Sequence, residues 1–263
     1  MPAHETTLVG NPVWIDLLTS DPASAIDFYS TLFGWTHLSG PEEYGGYVTF
    51  FLNGAPVAGL IGQGNNTGGP DAWTTFLLTD DAAATAGLAA ANGGQVINNF
   101  RVGGQGTMLN IIDPSGAMVG GWQKDAHRGF LVVNEPNAPV WYEVHTRDFA
   151  AASAFYEKVF GWELSVMGDS DEFRMSTVSD GAAPVAGIYD ATSTMKPVER
   201  SAWVVYFGVA DADASAARII ELGGSVLEAP VDTPFGRQGS AADPTGAAFR
   251  FIGVEAPEER QTP

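Results

Sequence analysis

Ile26-Asp27-Phe28-Tyr29-Ser30-Thr31-Leu32-Phe33-Gly34-Trp35 decides the fold, because it returns 127 residues later as Ser153-Ala154-Phe155-Tyr156-Glu157-Lys158-Val159-Phe160-Gly161-Trp162. Upstream, Val13-Trp14 is matched at the same spacing by Val140-Trp141. Downstream, Pro56-Val57-Ala58-Gly59 is matched by Pro184-Val185-Ala186-Gly187, and Trp73 by Trp203. Asn92-Gly93-Gly94 then pairs with Leu222-Gly223-Gly224, and Asp113-Pro114-Ser115-Gly116 with Asp243-Pro244-Thr245-Gly246, where the spacing has grown only to 130. A repeat of this length is a whole folding unit rather than a solenoid turn.

Each copy reads as two smaller modules. Pro12 to Leu18 alternates as a strand, and Asp21-Pro22 opens a helix, since Asp caps a helix well and Pro suits its first turn. Ile26, Tyr29, Leu32 and Phe33 recur at helical spacing until Gly34 ends the run. Strand-like stretches follow at Trp35 to Leu38, Gly46 to Leu52 and Pro56 to Ile61, the last two joined by an Asn53-Gly54 turn signal. The same plan recurs as a strand from Ala72 to Leu78, a helix from Asp81 to Asn92, and strands near Gln95 to Asn98, Thr107 to Ile112 and Ala117 to Trp122. The second copy repeats the order from Pro139 to Ile252. The expected organisation is a flexible N-terminus (1–10), a first domain (11–123), a linker (124–138), a second domain (139–254) and a flexible C-terminus (255–263). The fold class is α+β, with four βαβββ modules paired two by two.

Composition narrows the function classes. The net charge is −19, spread over both halves: 2 basic against 11 acidic residues up to His127, and 10 against 20 beyond it. Such a surface repels phosphate backbones and anionic lipid, so neither nucleic acid nor a membrane is an expected partner. No cysteine is present, which removes disulfides, thiolate metal sites and thiol nucleophiles. No stretch reaches the length of a membrane span, and Met1 to Gly10 lacks the pattern of a signal peptide, so a cytoplasmic protein, monomeric or homodimeric, is expected. Gly62-Gln63-Gly64-Asn65-Asn66-Thr67-Gly68-Gly69 lacks the ending of a phosphate-binding loop and reads as a flexible connection. No Gly-x-Ser-x-Gly elbow supports a hydrolase.

The strand ending in Asp, the helix closing on Phe-Tyr, the Phe-Gly-Trp exit and the Asp-Pro-x-Gly turn resemble the vicinal oxygen chelate superfamily, which includes glyoxalase I, bleomycin-resistance proteins and extradiol dioxygenases. Ala138-Pro139-Val140-Trp141-Tyr142-Glu143 after an Asn-Glu-Pro linker, and Pro234-Phe235-Gly236-Arg237 before Asp243-Pro244, are similar to actinobacterial two-domain glyoxalase-like proteins often labelled hydroxylases. The resemblance implies a curved sheet around a cavity in each domain. In catalytic members it also implies a metal held by His and Glu from four strands. One ligand stands fourteen residues before the Phe of Phe-Tyr, where this chain has Trp14 and Trp141. A second opens the first strand of the other module, at Trp73 and Trp203. A third lies seven residues past the Asp of the Asp-Pro-x-Gly turn, at Gly120 and Arg250, and the fourth falls near Gly59 and Gly187. Indole only donates and glycine offers nothing beyond its backbone, so no metal site and no cofactor is expected; the histidines are His4, His37, His127 and His145.

Because strand residues two apart share a face, Asp16 is expected beside Trp14 in one cavity, and Glu143 and His145 beside Trp141 in the other. Trp73 and Thr75 are expected to line the first cavity, Trp203 and Phe207 the second, with Arg237 reaching in from a loop. Aromatic walls with a few placed polar groups describe a site for a small apolar or aromatic molecule. The leading expectation is therefore a binding protein for such a metabolite, without the metal. A metal-independent isomerase, lyase or hydroxylase-type enzyme, with Glu143, His145 and Asp16 as candidate acid–base groups, stands second. A metal-dependent lyase or dioxygenase stands third. The blander alternatives stay open: the tryptophans fill cores, the carboxylates are structural, His145 is a satisfied structural residue, and Arg237 is an exposed turn residue.

Overall fold

Among the described residues, four aspartates start the four α-helices. Asp21, Asp81, Asp148 and Asp211 each accept backbone N–H bonds from the first helical turn that follows, satisfying donors that have no partner inside a helix. The computed structural model describes residues 5–64, 69–181, 183–195 and 200–255. His4, the centre of the Asn-rich connection (65–68) and nearly all of the C-terminal segment lie outside the described residues. Of the N-terminal segment, residues 5–10 are held: Thr6 Oγ1 donates to the Pro12 carbonyl, and Gly10 N to the Leu78 carbonyl.

The first half comprises β1 (Pro12–Thr19), α1 (Pro22–Phe33), β2 (Thr36–Ser39), β3 (Val48–Leu52) and β4 (Ala55–Gly62). Its second module is β5 (Ala72–Leu78), α2 (Ala82–Ala91), β6 (Gln95–Val102), β7 (Gly106–Ile112) and β8 (Met118–Lys124). The second half repeats this as β9 (Pro139–Thr146), α3 (Phe149–Phe160), β10 (Ser165–Asp169), β11 (Arg174–Asp180) and β12 (Ala183–Asp190). It closes with β13 (Ala202–Val209), α4 (Ala212–Glu221), β14 (Ser225–Thr233), β15 (Gly236–Ala242) and β16 (Ala248–Gly253). Each half forms one eight-stranded sheet, ordered β2-β3-β4-β1-β5-β8-β7-β6 and β10-β11-β12-β9-β13-β16-β15-β14. The chain is thus a tandem pair of α+β domains, each of two βαβββ modules joined through their first strands. Among the described residues no helix is long and apolar enough to cross a membrane.

The repeated helix motif locks the halves together. Tyr156 of α3 donates from its hydroxyl to Asp113 of the first half's Asp-Pro-x-Gly turn (2.9 Å) and accepts from Trp203 Nε1 (2.7 Å). Tyr29 of α1 likewise accepts from Trp73 Nε1 (3.0 Å) and faces Asp243 of the second half, in a looser contact than Tyr156 makes with Asp113. Phe155 packs on Gly94 across the interface and Phe28 on Gly224, each so closely that a Cβ on the glycine would lie within 3 Å of the ring. Trp35 Nε1 donates to the Asn137 carbonyl and Trp162 Nε1 to the Gly10 carbonyl, again in mirrored fashion. Tyr29 and Phe33 also stack among Phe207 and Phe249 of the other half. The helices therefore fill the space between the two sheets, leaving the opposite face of each sheet for a site.

Replacing Tyr156 by Phe leaves Asp113 Oδ2 and Trp203 Nε1 buried without partners, a loss of about 1–3 kcal/mol. Tyr29→Phe orphans Trp73 Nε1 but gives up only the looser contact with Asp243, and is expected to cost less. Urea denaturation of the two variants checks this; equal losses, or the reverse order, would contradict the asymmetry.

Candidate functional site

Trp141, Glu143 and His145 alternate along β9 and project from one face of the second sheet into a cavity of about 720 Å³. Glu143 is buried, and both of its oxygens are engaged. Oε1 accepts from His145 Nε2 (2.6 Å) and from the Tyr206 hydroxyl (2.6 Å), while Oε2 accepts from Trp141 Nε1 (2.7 Å). Burial alone raises the carboxyl pKa, but the bond from His145 and the charge its ring carries whenever it is protonated, with the bonds from Tyr206 and Trp141, outweigh it and hold Glu143 below its ordinary value. The carboxylate form follows, and it fixes the His145 tautomer with the proton on Nε2. Burial first, then the Glu143 charge, pushes the Tyr206 phenol well up, so Tyr206 remains a donor.

Next to Tyr206 across the sheet, Arg250 lays its guanidinium 5.7 Å from the Tyr206 ring centre and pairs with Glu228 at 2.7 Å. Phe173, Met175 and Tyr189 continue the walls, and Tyr189 meets the His145 ring edge to face at 5.2 Å. Met167, Met195 and Phe235 stand at the rim. A flat apolar wall thus borders a short polar row: His145, Glu143, Tyr206 and Arg250.

The first half has the same strand positions and fills them. Trp14 Nε1 donates to Asp16 Oδ1 (2.9 Å) and to the Tyr47 hydroxyl (2.8 Å), and that hydroxyl donates to Asp16 Oδ1 (2.6 Å). Phe76 covers Gly120, and Trp122 covers Gly106, in space that a Cβ would occupy. The linker folds back onto this half: Phe130 N donates to the Val13 carbonyl, and His127 sits 4.5 Å from Trp14, ring edge to ring face. By sheet register Met175 stands in the second half where Tyr47 stands in the first, and Ile252 replaces Trp122. Smaller side chains at these positions leave the second cavity open.

Several expected site residues lie elsewhere. Trp73, Thr75, Trp203 and Phe207 face the helices, not the cavities, because β1 pairs Trp14 with Phe76 and Asp16 with Thr74, and β9 pairs Trp141 with Tyr206 and Glu143 with Val204. Paired residues on antiparallel strands point the same way, so the cavity set on β5 and β13 is the alternate one. Trp73 and Trp203 instead hold the interface tyrosines. Arg237 is bonded to Asp213 (2.6 and 2.8 Å) and Asp232 (3.2 Å) at the surface and is not part of the cavity wall. Asp16 shares the expected face, yet it lies inside a filled interior. Tyr206 is a cavity residue that the sequence does not single out, and Arg250, known from the sequence only as the residue at a metal position, stands beside it on the wall. The signal was a comparison of copies, since the first half has Phe76 and Gly120 in their places.

Two βαβββ pairs, one of them enclosing an open cavity, define the class of protein, and sequence comparison gives the family. The model of the glyoxalase/bleomycin resistance protein/dioxygenase superfamily matches residues 11–120 and 138–251. The chain belongs to that superfamily. It is 38% identical over 258 residues to a Mycobacterium bovis protein named "Putative glyoxylase CFP32", covering 96% of this chain and 98% of that one. It is 37% identical over 264 residues to the anthracycline biosynthesis protein DauV of a Streptomyces species, covering 92% and 93%. The Mn(II)-bound glyoxalase of Novosphingobium aromaticivorans superposes with a TM-score of 0.64 at 16% identity, covering 95% of this chain and 84% of that one, a likeness of fold.

The side chains at the superfamily's metal positions do not fit a divalent ion in this half. Trp141 donates and Arg250 brings positive charge; Trp203 faces the helices, and its cavity-side neighbours Ala202 and Val204 offer no ligand atom. Gly187 offers no side chain, and a Cβ there would lie 2.6 Å from the Met175 methyl and 3.0 Å from Trp141. Glu143 and His145 are already bonded to each other. Among the described residues no group of three or more His, Cys, Asp or Glu side chains is placed to hold a metal.

In the first half, burial pushes the Asp16 pKa up to about 6, against the opposing bonds from Tyr47 and Trp14. Burial also takes His127 down to about 4, which acts on stability with the opposite sign. For Asp16 the folded value lies above the unfolded one, so its stabilising contribution is complete below about pH 4 and is lost as the pH rises through about 6. Asp16→Asn stays neutral and can still accept both donors. Its stability relative to the wild type is expected to climb across this window by up to about 3 kcal/mol. Urea denaturation at pH 4, 5, 6 and 7 measures it, and a difference that stays constant with pH would refute the assignment.

Proposed function

We propose that this chain binds a flat, largely apolar aromatic small molecule in the second half's cavity, without a divalent metal. The observation that carries this reading is the cavity of about 720 Å³ between Trp141, Phe173, Met175 and Tyr189, within the range of small-molecule sites. Aromatic and thioether walls favour a planar ring system through area burial and sulfur–ring contact. The name of the Streptomyces relative points to the same chemistry, since an anthracycline is a fused-ring aromatic. The first half serves as a filled structural partner in this reading.

Saturable quenching of tryptophan emission by an anthraquinone probe is the expected result, unchanged by a chelator. Met175→Tyr rebuilds the plug that Tyr47 forms in the first half, and is expected to weaken binding at least about tenfold, or 1.4 kcal/mol, with little change in melting temperature. If no planar aromatic in a broad panel quenches saturably, the binding reading fails.

A second reading is favoured by the buried Glu143–His145 bond at the cavity wall: a metal-independent acid–base enzyme. Under it, Glu143→Gln lowers turnover by about 10²–10⁴-fold once a substrate is known, and undiminished turnover removes Glu143 from the chemistry.

A further inference from the structure

One nitrogen of the cavity's histidine is committed and the other is not. His145 Nε2–H is held by Glu143 at 2.6 Å. Nδ1 has no hydrogen-bond partner among the described residues, nor is it among their buried unpaired atoms, and His145 borders the cavity. With Nε2 protonated, Nδ1 is a lone-pair acceptor. The charged groups around it are few: Glu143 on its own strand and, farther along the row, Arg250 paired with Glu228; Tyr189 on β12 presents a ring. A buried carboxylate behind an imidazole favours the imidazolium that forms when the other nitrogen takes a proton.

Comparison within the chain separates this arrangement from what the fold requires. Leu18 occupies the His145 position in the first half, and Phe76 the Tyr206 position, and that sheet closes without either polar group. The imidazole, and the phenol that helps fix its carboxylate, occur together only in the half with the open cavity.

From this geometry, and resting on the reading that the cavity binds an aromatic molecule, we infer that the ligand is an aromatic hydroxyl compound, a phenol or hydroxyquinone, whose acidic O–H docks on His145 Nδ1. The proton passes from the phenolic oxygen to Nδ1, giving a phenolate against an imidazolium held by Glu143. No bond other than O–H breaks, and no electron is transferred. Flat walls select the ring system, and a neutral acceptor at their edge selects a donor on that ring. Free phenols ionise near pH 10, so the bound molecule becomes an anion at a pH where the free one is neutral.

The test uses the full chain and a hydroxyanthraquinone dye whose neutral and anionic forms differ in colour, at a pH about one unit below the dye's own pKa. The bound dye is expected to show the anionic spectrum with the wild type. His145→Leu, which copies Leu18, is expected to bind about tenfold more weakly and to leave the bound dye neutral. Glu143→Gln keeps the imidazole and removes the negative charge behind it, and an intermediate spectrum is expected; thermal melting establishes that both variants fold. Dye bound to the wild type in its neutral form, or an anionic spectrum retained in His145→Leu, overturns the assignment while leaving aromatic binding intact. A dye that does not bind at all overturns both.

Discussion

The structure depends on one constraint: the aromatic helix of each half is packed into the other half. Tyr156 reaches Asp113, Tyr29 faces Asp243, and Phe155 and Phe28 press on Gly94 and Gly224. These contacts place α1 and α3 between the sheets, where large aromatic rings pack against one another. Neither sheet could keep that face covered alone, so each half completes the other. The duplication is therefore a mutual closure, and the Phe-Tyr and Phe-Gly-Trp residues that make the repeat visible are the residues that perform it.

With their helix faces committed to each other, the two sheets keep their opposite faces free to differ. In the first half Tyr47, Phe76, Trp122 and the returning linker occupy the space, and Asp16 is enclosed with Trp14 and Tyr47. In the second, Met175 and Ile252 are less bulky, the cavity stays open, and Glu143 gains donors from His145 and Tyr206 that Asp16 lacks. The opposite displacements of the two carboxyl groups follow from donor count. Burial raises both, and only the one with three donors, an imidazole among them, is brought below its ordinary value.

Much of the architecture was legible because local signals repeat. Asp caps, the glycine at the helix exit and the Asn-Gly turn locate elements to within a few residues, and β6 alone runs well past its expected end, to Val102. The site was legible on β9, where Trp141, Glu143 and His145 share a face whatever the register. It was not legible on β13. Trp203 and Phe207 were assigned the cavity and Tyr206 was overlooked, because strand alternation gives two faces without saying which is which. A slip of one residue exchanges them. Arg237 shows a different failure: its counter-ions, Asp213 and Asp232, converge on it only in three dimensions.

The sequence by itself determined the duplication and the module order, since these are matters of residue identity and spacing along the chain. Tertiary structure alone decided which faces look inward, that one cavity is filled and the other open, and that His145, Glu143, Tyr206 and Arg250 form one row. Those outcomes depend on inter-strand register and on the volumes of side chains far apart in the chain, and neither is encoded within any single stretch of it.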